Sequence, residues 1–252
     1  MNLGLEGKSA LVVGASRGLG RAIALGLAAE GAQVGVVGRT AADITSLVAE
    51  MSQTSHGHWG LARDLMPDNA PTQFAQDLQS YTDRVDILVH NLGGTLGVRD
   101  PFCSVDEWRA VWRLNFEIAA ELNRCLVPAM QQRQWGRVVH ISSIAATLSR
   151  GSVAYCAVKA ALNAYTKNLG CTVAPDGVVI SAVMPGVIRH PGSHWDQVAI
   201  NDPDRVQNFL NNRIAIQRFA APSEISNMVI FLCSEQAAFM PGAVVPIDGG
   251  SW

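Results

Sequence analysis

The chain has no charge excess of either sign: 19 lysines and arginines stand against 21 aspartates and glutamates, a formal net charge of −2. Proteins that hold nucleic acid or an anionic membrane surface by charge need a basic excess. Neither partner is expected, and a small molecule is. Also lacking is any apolar run near the ~20 residues of a membrane-spanning helix. The first residues, Met1-Asn2-Leu3-Gly4-Leu5-Glu6-Gly7-Lys8, show neither the basic start nor the apolar stretch of a secretory signal. Five cysteines, Cys103, Cys125, Cys156, Cys171 and Cys233, are odd in number, scattered and never spaced C-x-x-C. That sets aside a disulfide framework and reads as reduced, mostly buried thiols. No His, Cys and Asp cluster has metal-site spacing. These absences predict a cytoplasmic protein with no metal.

What is present is apolar: 48% of the 252 residues are hydrophobic, enough for a core without staples and for one domain spanning residues 1–252. Short apolar stretches alternate with longer segments of helical period. The strand candidates are Ser9 to Val13, Gln33 to Val37, Gly57 to Ala62, Val85 to His90, Arg137 to Ser142, Val178 to Met184 and Ala243 to Ile247. Helix candidates lie at Leu19 to Ala29, Ala41 to Met51, Asn69 to Tyr81, Val105 to Gln132, Ser152 to Val173 and Pro222 to Cys233, with a kink or break at Pro128. The strands are dense in Val, Ile, Leu and Ala without clean alternation, as strands covered on both faces are. The expected class is α/β, a Rossmann-like doubly wound sheet of seven parallel strands flanked by helices on both faces. Ligands in such sheets bind beyond the carboxyl ends of the strands. One stretch departs from the alternation: Arg189 to Arg213 carries two prolines, two histidines, Trp195 and several Asn and Asp. A connection this long is commonly a lid or binding loop, and it is assigned to substrate.

Gly14-Ala15-Ser16-Arg17-Gly18-Leu19-Gly20 follows an apolar strand and opens an Ala/Leu-rich helix. Glycine permits the tight turn and lets the backbone approach a pyrophosphate, which the unpaired N–H groups of a helix start attract. The spacing is G-x-x-x-G-x-G, and its position between strand and helix points to a dinucleotide. After the second strand, NAD enzymes place an acid on the ribose hydroxyls. Here the chain reads Val36-Val37-Gly38-Arg39-Thr40, with no carboxylate. Arg39 and Arg17 can instead clamp a ribose phosphate, which favours NADP(H) over NAD(H). Asp64 is placed to accept from an adenine amino group, with Leu65 beside the ring, or else to lead a helix.

Tyr155-Cys156-Ala157-Val158-Lys159 sets a Tyr and a Lys four residues apart, on one face of a helix. A free Tyr has a pKa of about 10, and a nearby ammonium favours its phenolate. Tyr155 can then exchange a proton with a carbonyl or an alcohol. Ile141-Ser142-Ser143 at the end of the preceding strand brings a hydroxyl to the same pocket. Asn115, in Leu114-Asn115-Phe116, is an amide inside a long helix that either holds a proton-carrying water or is satisfied by a neighbouring backbone group.

These motifs together resemble the short-chain dehydrogenase/reductase (SDR) family over essentially the whole chain. The resemblance rests on Gly14-x-x-x-Gly18-x-Gly20, Asn91-Leu92-Gly93-Gly94, Asn115, Ile141-Ser142-Ser143, Tyr155-x-x-x-Lys159, Pro185-Gly186 and Asp248-Gly249-Gly250. It implies a catalytic tetrad of Asn115, Ser143, Tyr155 and Lys159. Ser143 is taken as the second serine of its motif, although Ser142 fits the usual Ser-to-Tyr spacing better. It further implies cofactor contacts from Ser16, Leu19, Asn91, Gly93, Pro185, Gly186 and Ile188, with Lys159 on the nicotinamide ribose. His190 stands where a Thr of the family often meets the carboxamide. The implied protein is an NADP(H)-dependent oxidoreductase interconverting a carbonyl and an alcohol, similar to 3-oxoacyl-carrier-protein reductases or sugar and polyol dehydrogenases. The alternative is a catalytically silent NADP(H)-binding regulatory or scaffold protein. A homotetramer or homodimer is implied as well.

Overall fold

A computed structural model describes residues 2–148 and 151–252. Seven strands form one sheet in the order β3-β2-β1-β4-β5-β6-β7, with every pairing parallel. They are β1 Ser9–Val13, β2 Gln33–Gly38, β3 Trp59–Ala62, β4 Ile87–His90, β5 Gly136–Ile141, β6 Val178–Pro185 and β7 Val244–Ile247. The helices between them are α1 Gly18–Ala29, α2 Ala41–Met51, α3 Ala70–Asp77, α4 Val105–Trp112, α5 Ile118–Gln132, α6 Val153–Val173, α7 His194–Asn201, α8 Pro203–Arg213 and α9 Pro222–Leu232. Strand order reverses between β1 and β4, the point where parallel sheets open a crevice for ligands.

Alternation along β1 shows why both faces are covered. Ala10 and Val12 join a core with Ile23 and Leu27 of α1 and Val229 of α9. Leu11 and Val13 join a second core with Phe74 of α3 and Ile118 and Leu122 of α5. A strand buried on both sides has no polar face to show.

The structure corrects several sequence expectations. The long helix over Val105 to Gln132 is two helices joined by a π-helical turn, Arg113–Glu117, while Pro128 sits inside α5 with no break there. Strand β3 starts at Trp59, because Gly57 has a left-handed φ of 86° that extended backbone cannot hold. The stretch 189–213 contains two helices. The Ser193 side chain accepts from the Asp196 amide to start α7, and Asp202 caps α8 ahead of Pro203. Only Cys233 of the five thiols is buried, and Cys171 is exposed.

Candidate active site

A cleft of ≈ 440 Å³ opens at the carboxyl ends of β1, β2, β4, β5 and β6. On one side runs the glycine turn. Gly14 adopts a φ of 88° and donates to the Val37 carbonyl at 2.8 Å, while Asn91 Nδ2 donates to the Gly14 carbonyl at 2.7 Å. A Cβ on Gly20 would stand 2.2 Å from that same carbonyl, so only glycine lets the helix start this close to the turn. The first turn of α1 contains no acid, and Arg17 at its N-cap makes no side-chain capping bond. Its leading N–H groups are therefore left for an anion. Gly14, Ser16, Arg17, Gly18 and Leu19 all line the cleft, and this cradle fits a pyrophosphate.

Arg39 follows β2 and also lines the cleft. Arg17 and Arg39 are exposed, and neither meets a carboxylate among the described residues. Their donors remain open to a phosphate. Asp64 lines the wall beyond them, with its Oδ1 accepting from the Met66 amide at 3.0 Å. It does not lead a helix, because α3 begins only at Ala70. Leu65 beside it is buried. Leu114 and Ile118 complete this wall; sequence reasoning missed both, as they reach the cleft only through the irregular turn.

At the other end of the cleft, α6 presents Tyr155, with Lys159 one turn deeper. Lys159 is 2% exposed. Its Nζ donates to the Ile141 carbonyl at 2.9 Å and lies 5.6 Å from the Tyr155 ring centre. Burial pushes its pKa down to about 7. Burial also raises the Tyr155 pKa, with a hydrogen bond to Ser143 opposing the rise. The sequence leads one to expect an ammonium-favoured phenolate; burial acts in the opposite direction here. Removing the phenol from water penalises its anion, and the partner amine is itself on the edge of losing its charge. Burial thus favours the protonated form of Tyr155.

The two serines diverge. Ser142 Oγ turns inward and donates to the Lys159 carbonyl at 3.4 Å. Ser143 Oγ accepts from the Ala145 amide at 3.1 Å and bonds Tyr155. Asn115 sits in the π-helical turn, a distortion common at functional sites. Its Oδ1 accepts from the Gly94 amide at 3.0 Å, and its Nδ2 donates to the Gly94 and Val111 carbonyls, both at 2.8 Å. Gly93 passes between these groups. A Cβ there would lie 2.9 Å from Asn115 Oδ1 and 3.0 Å from Lys159 Nζ. Asn115, Lys159 and Gly20 stand behind the cleft surface rather than on it.

Pro185, Gly186, Ile188 and His190 form the remaining wall. His190 Nδ1 donates to the Pro191 carbonyl at 3.0 Å, and Nε2 lies 2.6 Å from where a Gly18 Cβ would be. The imidazole therefore packs on the glycine turn. Beyond it, Trp195 packs on Phe209 and Phe219, with ring centres 4.2 and 5.1 Å away. Among the residues suggested for substrate, Trp195 is an anchor inside this segment.

Comparison with known proteins agrees with this geometry. A family model described as enoyl-(acyl carrier protein) reductase matches residues 14–251. The chain is 33% identical to a 3-oxoacyl-[acyl-carrier-protein] reductase of Aquifex aeolicus over 253 residues, 99% of each chain. The L-sorbose reductase of Gluconobacter frateurii, solved with NADPH and L-sorbose, superposes with a TM-score of 0.92 at 29% identity, covering 99% of this chain and 98% of that one. A 3-oxoacyl (acyl-carrier-protein) reductase from Agrobacterium tumefaciens with NADP bound gives 0.93 at 28% identity, covering 99% and 96%. By its matched length, its seven-stranded parallel sheet and these relatives, the chain belongs to the short-chain dehydrogenase/reductase family.

Proposed function

We propose that the protein is an NADP(H)-dependent reductase or dehydrogenase that interconverts a carbonyl and an alcohol through Asn115, Ser143, Tyr155 and Lys159. The observation that carries this reading is the buried Lys159 amine, fixed 5.6 Å from the Tyr155 ring at the end of a cleft whose other end is a glycine-lined helix start.

Bound NADPH supplies a hydride to the carbonyl carbon, and NADP⁺ accepts one in the reverse direction. The residues do the rest. Ser143 and Tyr155 hold the substrate oxygen, and Tyr155 donates its proton to that oxygen as it gains charge. Lys159, kept in place by the Ile141 carbonyl, supports the phenolate that the transfer leaves. Asn115 pins the Gly94 backbone beside Lys159 and so keeps the path for reprotonation open. Gly14 to Gly20 and Asn91 hold the pyrophosphate, Arg17 and Arg39 the ribose phosphate, and Asp64 and Leu65 the adenine. Gly93, Pro185, Gly186 and Ile188 enclose the nicotinamide.

The substrate class follows the relatives: a 3-oxoacyl thioester or a ketose-like polyol. The segment 189–213 serves as its binding lid, within a single domain 1–252. A silent binding protein finds no support, since the relatives bear the names of reductases. A homotetramer or homodimer in the cytoplasm completes the reading. Exposed Phe102, Val105 and Val153 and the edge strand β7 offer its contacts. Among the described residues, no helix is long and apolar enough to cross a membrane.

The test is NADPH oxidation by the purified protein with acetoacetyl thioesters, ketoses and diketones. Turnover of at least one class is expected; binding of NADPH without turnover of any would overturn the enzymatic reading.

A further inference from the structure

Arg113 opens the π-helical turn two residues before Asn115, and its side chain is not used by the chemistry above. It is buried to 8% exposure. Its Nε donates to the Met66 carbonyl and its Nη2 to the Pro67 carbonyl, both at 3.1 Å. Nη1 pairs with Glu121 of α5 and stands 3.6 Å from Glu117. A buried guanidinium is costly unless its donors are satisfied, and a buried ion pair replaced as a whole by well-packed apolar side chains is often no less stable. The fork must therefore be explained by what it joins.

It joins two parts of one cleft. The carbonyls belong to the segment whose Asp64, Leu65 and Met66 line the far wall, and the turn sends Leu114, and α5 directly after it Ile118, to that wall. On its other side the same turn delivers Asn115 to Gly94. Among the described residues, no other side chain hydrogen-bonds residues 64–67 to this turn.

We infer that Arg113 is a positioning residue that ties the adenine wall of the cofactor cleft to Asn115, so that ordering one end of the cleft orders the other. This rests on the proposed reading of the cleft as an NADP(H) site. Binding energy from a remote part of a ligand can be spent on alignment at the reacting centre, and Arg113 is the connection through which adenine contacts would do so here. The planar fork matters: lysine keeps the charge toward Glu121 but cannot donate to two carbonyls and a carboxylate in one fixed geometry.

The experiment compares Arg113→Met, Arg113→Lys and Glu121→Gln with the parent protein. Three readouts are taken: NADPH affinity by fluorescence titration, kcat at saturating NADPH, and amide hydrogen exchange without cofactor over residues 64–66, 94 and 113–117. Both Arg113 variants are expected to lose about tenfold in NADPH affinity and about tenfold in kcat, an effect of misplacement rather than of lost chemistry. Exchange should speed at Gly94 as well as at 64–66. Glu121→Gln keeps the fork on both carbonyls and should stay within about threefold on both parameters. A folded Arg113→Lys with unchanged kcat and unchanged Gly94 exchange would overturn the inference, even if its melting temperature fell. Arg113→Lys retains the long stem and charge, so it decides the matter if Arg113→Met does not fold. Should the parent protein bind no NADPH, the proposed function fails, while the cofactor-free exchange still reports on the tie.

Discussion

Lys159 Nζ donates to the Ile141 carbonyl at 2.9 Å, which ties the amine on α6 to the end of the strand that leads into Ser143. One hydrogen bond thus joins the two elements that carry Tyr155, Ser143 and Lys159. Burial is the other half of the arrangement, because it brings the Lys159 pKa to about 7 and keeps the proton on Tyr155.

The first prediction concerns pH. Carbonyl reduction needs Tyr155 protonated and Lys159 charged. Burial lowers the pKa of Lys159, so its charge is complete only well below pH 7 and is lost as pH rises through about 7. kcat/KM for NADPH-linked reduction, which reports groups of the free enzyme, should therefore decline above about pH 7. A profile that stays flat to pH 9 contradicts this assignment.

Cofactor choice tests the rim. Arg39→Asp removes a donor of the phosphate clamp and places a carboxylate where ribose hydroxyls would be held. NADPH affinity should fall by roughly 10- to 100-fold while NADH is retained or improved. Titration of both cofactors decides it, and an unaltered NADPH to NADH ratio speaks against the clamp.

The serines separate in the same spirit. Ser143→Ala removes the hydroxyl facing Tyr155 and should cost roughly 100-fold in kcat. Ser142→Ala removes only an inward bond at 3.4 Å and should cost far less. Reversed effects would move the role to Ser142.

Stability in acid follows from a buried chain of hydrogen bonds behind the site. His90 Nε2 donates to Asn123 Oδ1 at 2.8 Å, Asn123 Nδ2 to His140 Nε2 at 3.0 Å, and His140 Nδ1 to Thr166 Oγ1 at 2.8 Å. Both rings are held neutral. Burial lowers the His90 pKa to about 4 and that of His140 well below its usual value. The unfolded chain takes up these protons near pH 6.5, so stability is full above that point and is lost as pH falls toward 4. His90 alone accounts for about 3 kcal/mol at the lower end. Urea midpoints should drop steeply between about pH 6.5 and 4, and less so in His90→Asn; equal slopes would contradict the account.

Much of this was legible beforehand because local rules and global fold agree: β1 and α1 flank glycines that only a turn requires, and the spacing of Tyr155 and Lys159 puts them on one helical face. The misses have physical causes. Arg113–Glu117 is compositionally ordinary helix, and its π-turn coincides with tertiary contacts of Asn115 and Arg113 that no periodicity shows. Helices α7 and α8 were hidden by prolines and polar residues, although Ser193 with Asp196 and Asp202 with Pro203 are start signals. The direction of the Tyr155 pKa depends on burial, which spacing alone does not report.

The central claim is that the Tyr155 hydroxyl supplies the proton. Tyr155→Phe deletes that one group with little change of shape, so fold and NADPH affinity should persist while kcat falls by roughly 100- to 10,000-fold. Single-turnover NADPH oxidation by the folded variant is the direct measurement: a rate matching the parent protein's contradicts the account, and loss of turnover with cofactor still bound is what it predicts.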